Sequence, residues 1–118
     1  MASSKVLIKN GITDVVYRFV NDSATSANFT ISLAELAKST QQISGTATAG
    51  ISAITYASKG ITKISRGGVL QYYFEGVAGE IQNAYGTDYE NKDQPFSIDI
   101  ASGTLEIRIL KGSAYINA

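Results

Sequence analysis

The stretch Phe96-Ser97-Ile98-Asp99-Ile100-Ala101-Ser102-Gly103-Thr104-Leu105-Glu106-Ile107-Arg108-Ile109 decides the fold class. Phe96, Ile98 and Ile100 alternate with Ser97 and Asp99. Leu105, Ile107 and Ile109 alternate with Glu106 and Arg108. Successive side chains on a strand point to opposite faces, so a period of two describes half-buried strands. The short glycine-containing spacer at residues 101–104 predicts a hairpin between them. Ala114-Tyr115-Ile116 follows Lys111-Gly112-Ser113 and extends the reading to a closing meander of two or three strands.

Working outward, residues 50–58 are rich in β-branched and aromatic side chains, as strands are. Lys59-Gly60 then punctuates before residues 61–66, and Gly67-Gly68 before residues 69–74. Three strands joined by two-residue glycine turns predict a second meander. Residues 5–9 and 12–20 read as strands split by Asn10-Gly11, a strong hairpin signal. Residues 28–33 form a further strand. Residues 33–38 carry helix formers behind Ser32, with Glu35 three positions on, a capping-box pattern for a turn or two of helix. Residues 39–49 and 83–94 are polar and read as loops, the second ending at Pro95.

Roughly six to nine strands at about 8–12-residue spacing make an all-β chain, a single-domain β-sandwich or jelly roll over residues 1–118. A closed barrel fits the same spacing. With 118 residues, such a chain buries roughly two thirds of its unfolded surface. There is no cysteine, so no disulfide contributes. Val6-Leu7-Ile8 is too short for a signal peptide's apolar region or a membrane helix, so a soluble chain made in the cytosol is expected.

Composition also bears on chemistry. Histidine, cysteine and tryptophan are all missing, which removes the usual proton shuttle and the usual zinc ligands. Ten Lys+Arg balance ten Asp+Glu, leaving no net field to draw in nucleic acid. Asp88, Glu90 and Asp93 place oxygen ligands close together, but Lys92 interrupts them and the spacing is not that of a calcium loop. Paired carboxylates can run glycoside hydrolysis from an apolar pocket, but Asp88, Glu90 and Asp93, like Glu75 and Glu80, lie in polar stretches, where a solvated face accounts for them. Gly67-Gly68 and Gly76-Val77-Ala78-Gly79 lack the Lys and hydroxyl residue of a phosphate loop and serve as turns. Asn21-Asp22-Ser23 and Asn28-Phe29-Thr30 match the glycosylation sequon without a secretory route to use it. No catalytic residue, cofactor, metal or small-molecule substrate is expected.

Seven tyrosines remain. Tyr72 and Tyr73 are adjacent on a strand and must face opposite sides, one inward and one outward. Tyr85 and Tyr89 lie in the polar 83–94 segment, where an aromatic ring with a polar tip suits protein contacts or sugar stacking. With Asp88 and Asn91 nearby, a carbohydrate-binding module is one alternative reading.

Ile51-Ser52-Ala53-Ile54-Thr55-Tyr56, the glycine turn, Ile61-Thr62-Lys63-Ile64-Ser65-Arg66-Gly67-Gly68 and the ending Ser102-Gly103-Thr104-Leu105-Glu106-Ile107-Arg108-Ile109-Leu110-Lys111-Gly112 resemble small virion proteins of tailed phages, the marine and cyanobacterial-phage type. The resemblance spans roughly residues 50–117. It implies a β-sandwich that acts as a capsid decoration (cement) protein on the outer capsid surface, with the major capsid protein as partner and self-association as a trimer. A tail or baseplate subunit is the alternative within that class. Contacts are expected from Val6, Leu7 and Ile8, whose strand could add to a neighbouring sheet edge, and from Tyr85 and Tyr89.

Overall fold

A computed structural model describes residues 3–23, 25–75, 78–82 and 92–117. Among them are eleven strands: β1 (Ser3–Asn10), β2 (Asp14–Asn21), β3 (Ala27–Ile31), β4 (Gln41–Ile43), β5 (Ala49–Lys59), β6 (Ile61–Arg66), β7 (Val69–Glu75), β8 (Ala78–Gln82), β9 (Phe96–Ile100), β10 (Ser102–Lys111) and β11 (Tyr115–Asn117). Every pairing is antiparallel. A five-stranded sheet runs β1-β2-β10-β5-β8, a four-stranded sheet runs β3-β9-β6-β7, and β11-β4 make a small third sheet. The chain is the expected all-β sandwich.

Alternation fills the space between the layers. Val15, Tyr17 and Phe19 of β2, Ile51 and Ile54 of β5, and Leu105, Ile107 and Ile109 of β10 point inward from one sheet. Ile31 of β3, Ile64 of β6, Tyr72 and Phe74 of β7, and Phe96, Ile98 and Ile100 of β9 meet them. Burying one such aliphatic side chain contributes about 1.5–3 kcal/mol. Ile51 and Ile54 are three apart, which breaks the period of two. A bulge reconciles them: Arg108 pairs Ala53 and Ile109 pairs Ile51, so Ser52 is the extra residue.

The two meanders read from sequence are corrected. β5 and β6 lie in different sheets, and so do β9 and β10. Gly60 alone separates the first pair and Ala101 alone the second. A hairpin needs at least two residues to turn the chain over, so a one-residue joint bends the strand and sends it into the opposite layer. The two corners touch, since a Cβ on Gly60 would sit 3.1 Å from the Ala101 Cβ. β11 does not continue from β10 either; it pairs with β4, inside the segment read as a loop. β8 was likewise absent from the sequence reading.

Other expectations hold. β1 and β2 form the expected hairpin, but Asn10 stays in β1 and residues 11–13 make the connection, with the Gly11 N–H donating to Asp14 O at 2.8 Å. Gly67 and Gly68 take φ of 58° and 83°, as the turn between β6 and β7 demands. The helical segment contracts to one 3₁₀ turn, Ala34–Leu36. Its capping box forms as read: the Ser32 N–H donates to Glu35 Oε1 at 2.6 Å, and the Glu35 N–H to Ser32 Oγ at 3.3 Å. Tyr72 is buried and Tyr73 exposed.

Three polar clamps tie segments to the sheets. Arg66 is fully buried and donates to the carbonyls of Ala49, Lys92 and Gln94. Lys111 Nζ donates to Asn10 Oδ1, Gly11 O and Gln41 Oε1 at 2.8, 2.9 and 2.6 Å. Asn21, also buried, donates to Thr25 O and Ile100 O.

Candidate functional site

β1 is an edge strand. Among the described strands it pairs with β2 alone, so its outer row of N–H and C=O groups faces away from the sheet. Val6, Leu7 and Ile8 are 42%, 49% and 45% exposed. Val6 lies opposite Arg18 on the outer face, and Leu7 opposite Tyr17 on the inner face. The register shifts between Leu7 and Lys9, so Ile8 sits at a bulge and regular pairing stops there.

Edge strands are usually guarded by lysines. Here both lysines are drawn back into their own domain. Lys5 Nζ donates to Glu35 Oε2 and to Thr30 O, each at 2.7 Å, and lies 5.1 Å from the centroid of the Tyr17 ring. Lys9 pairs with Asp14 at 3.2 Å, and Asp14 also faces Arg108 at 3.6 Å. The edge therefore presents three aliphatic side chains with its charges already compensated.

The Lys5 cluster is a lock. Tyr17 Oη donates to Glu35 Oε2 at 3.1 Å. Burial, with the Glu35 charge and hydrogen bond, pushes the Tyr17 phenol up to about 12. Burial alone would raise the Glu35 carboxyl, but the hydrogen bond from Lys5, the Ser32 N–H, the Lys5 charge and the Tyr17 hydroxyl together hold it below its ordinary value. A group held this low contributes stability above its unfolded value, about 4.3, and that stability is lost as pH falls through the folded value. Glu35→Gln should therefore cost about 1 kcal/mol near neutral pH and less in acid, below the unfolded value. Thermal melts of both proteins at the two pH values check this. An equal deficit at both would show that the charge is immaterial.

Tyr85 and Tyr89 lie outside the described residues, as do Asp88, Glu90 and Asn91. Asp93 is described and accepts a hydrogen bond from Gln94 Nε2 at 3.4 Å. Among the described residues, no three acidic side chains gather in a group that could hold a metal ion, and no helix is long and apolar enough to cross a membrane. Glu75 is exposed at the β7 end, opposite Ile61, and Glu80 lies opposite Thr55. The sequence reading missed a second exposed apolar set on the β6–β7 hairpin, Ile61, Val69, Leu70 and Tyr73. Of these, Tyr73 alone was legible, through its neighbour Tyr72.

The fold and its edge define a class: an all-β sandwich with an open, charge-compensated aliphatic strand. No family model, no curated protein and no solved structure matches the chain.

Proposed function

We propose that this chain is a structural protein of a phage virion, a decoration (cement) protein that binds the outer capsid surface and stabilises the head by protein–protein contacts. The observation that carries the reading is the run Val6-Leu7-Ile8, exposed along a sheet edge that no second described strand pairs. A strand edge of this kind acts through main-chain pairing and side-chain burial, with no reacting group. The resemblance of residues 51–68 and 102–112 to tailed-phage virion proteins supports the same reading. So do the buried clamps Arg66, Lys111 and Asn21, which hold connecting segments against the sheets. A stiff body loses little conformational freedom when it docks.

In this reading the partner is the major capsid protein. A stable contact buries about 800 Å² on each side, and repeated sites on a symmetric shell add avidity. The contacts come from the β1 edge and from the segment with Tyr85 and Tyr89. The test is to mix the purified protein with capsid shells that lack it and to image them. Added density at regular positions on the outer surface is expected. Density on tails or baseplates would move the protein to those structures, and density on neither would overturn the virion reading.

A further inference from the structure

We propose that the outer face of the four-stranded sheet binds a neutral oligosaccharide, seated at one end in a cavity beside β3 and stacked at the other on Tyr73. The site uses none of Val6, Leu7 and Ile8, so it goes beyond the capsid reading and stands independently of it.

The cavity lies where the chain passes from β2 to β3. It encloses about 360 Å³, near the small end of the range for ligand pockets. Ser3, Asn21, Ser23, Thr25, Ser26 and Asn28 line it, and none of these carries a charge. Its shape is set before a ligand arrives. Buried Asn21 donates to Thr25 O and Ile100 O, the Ser23 N–H donates to Asn21 Oδ1 at 3.0 Å, and the Thr25 N–H to Ser23 Oγ at 3.1 Å. Side-chain hydroxyls both donate and accept, as sugar hydroxyls do. A phosphate or carboxylate would find no cation among these side chains to offset its desolvation. An apolar ligand would strand the hydroxyls without partners.

Asn28 joins the cavity to the open face. Asn28 of β3, Asp99 of β9, Lys63 of β6 and Tyr73 of β7 lie opposite one another in register, and all four are exposed. Opposed residues share a face, so they form one row across the sheet, about 14 Å long at the usual strand spacing. Thr30, Ser97 and Ser65 make a second row beside it. The Asp99 and Lys63 charges cancel. Asn28 Nδ2 donates to Asp99 Oδ1 at 2.6 Å, which leaves Asn28 Oδ1 and Asp99 Oδ2 to accept from a ligand, while Lys63 donates. The Tyr73 ring, 49% exposed, ends the row with an apolar face and a polar tip. A pyranose has the matching form: hydroxyls around its edge and a C–H face for the ring. An extended peptide would pair with a sheet edge through its main chain, whereas this face offers side chains.

An array of neutral, acidic and phosphorylated oligosaccharides tests the ligand class, and titration calorimetry with the tightest neutral one tests the site. Neutral glycans should bind best. Tyr73→Ala should weaken binding at least ~10-fold, and Tyr73→Phe, which keeps the stacking ring, should recover most of the loss. Ser26→Tyr fills the cavity and should also weaken binding at least ~10-fold. Both positions are exposed, so the melting temperature should not move. Val6→Lys, on the β1 edge, should bind the glycan as the parent does. No bound glycan, a preference for acidic or phosphorylated probes, or full affinity in Tyr73→Ala or Ser26→Tyr would overturn the proposal. A protein that decorates shells but binds no glycan would overturn it while sparing the virion reading. One that binds glycan through Tyr73 and decorates neither shell nor tail would do the reverse.

Discussion

Replacing Arg66 with methionine is expected to cost about 3–5 kcal/mol and to lower the melting temperature by roughly 10–20 °C. Arg66 closes β6 with its side chain turned inward and fully buried. Its guanidinium donates to Gln94 O through Nε at 3.2 Å and through an Nη at 2.8 Å. Further bonds go to Lys92 O at 2.9 Å and to Ala49 O. Its Cζ lies 4.0 Å from the centroid of the Phe96 ring. One planar fork thus holds the start of β5, the 92–94 segment and the four-stranded sheet together. Methionine fills much of the same volume, so the loss isolates the polar contacts from any cavity. Carbonyls left without donors in a buried site cost about 1–3 kcal/mol each. Arg66→Lys keeps the charge but not the fork, and should recover less than half of the loss. Urea and thermal denaturation of the three proteins decide the matter. A methionine variant within about 1 kcal/mol of the parent would show that the clamp is dispensable.

The clamps bear on function through stiffness. The β1 edge is useful to a partner only if its register is fixed before contact, since ordering a strand on docking weakens binding. β1 is fixed from three sides: by its ladder with β2, by Lys5 on Glu35 and Thr30, and by Asn10 beneath Lys111. Lys111 itself reaches β4 through Gln41, and Gln41 Nε2 donates back to Ile12 O at 2.9 Å. The β1–β2 turn is thereby anchored to the far end of β10.

What the sequence disclosed follows from how local each signal is. The alternation at Leu105, Ile107 and Ile109 named a strand and its buried face, because both depend on neighbours two residues away. Gly67-Gly68 named its hairpin, because turn geometry lives in the two residues themselves; Asn10-Gly11 named the place of the first hairpin but not its three-residue connection. Ser32 and Glu35 named their own reciprocal hydrogen bonds. Pairing across the layers is not local. Whether β9 turns back on itself or crosses to the other sheet depends on a single residue of connector, and polar spacing hides that count. β4 escaped notice because three residues carry too little alternation to read. A run such as Val6-Leu7-Ile8 fits a central strand or an edge equally well. Its exposure was settled by β2 having β10 as its other neighbour. Arg66 gave no sign of burial, because arginine in a strand is ordinarily a surface residue.

Gly103→Ala is expected to destabilise by about 3–5 kcal/mol, an effect out of scale for one methyl group. The sequence reading placed Gly103 in a hairpin loop, where alanine would be cheap. In the fold it lies inside the ladder of the central strand, opposite Asn21 of β2 and Ser58 of β5. It takes φ of 140°, a conformation that side chains resist. A Cβ there would run into the Ala57 carbonyl oxygen and lie 2.5 Å from Ser58 Cα. Both obstacles are backbone, so no rotamer change relieves them. The β5–β10 pairing must open, at the point where β5 and β10 enter their corners beside Gly60 and Ala101. The change should therefore loosen the two corners together. Amide hydrogen exchange should rise at Ala57, Ser58 and Thr104 while the turn end of the β1–β2 hairpin, at the opposite end of β2 from Asn21, keeps its protection. A variant as stable as the parent, or one whose exchange rises evenly over the whole chain, would show that the corner geometry does not hold the two layers together.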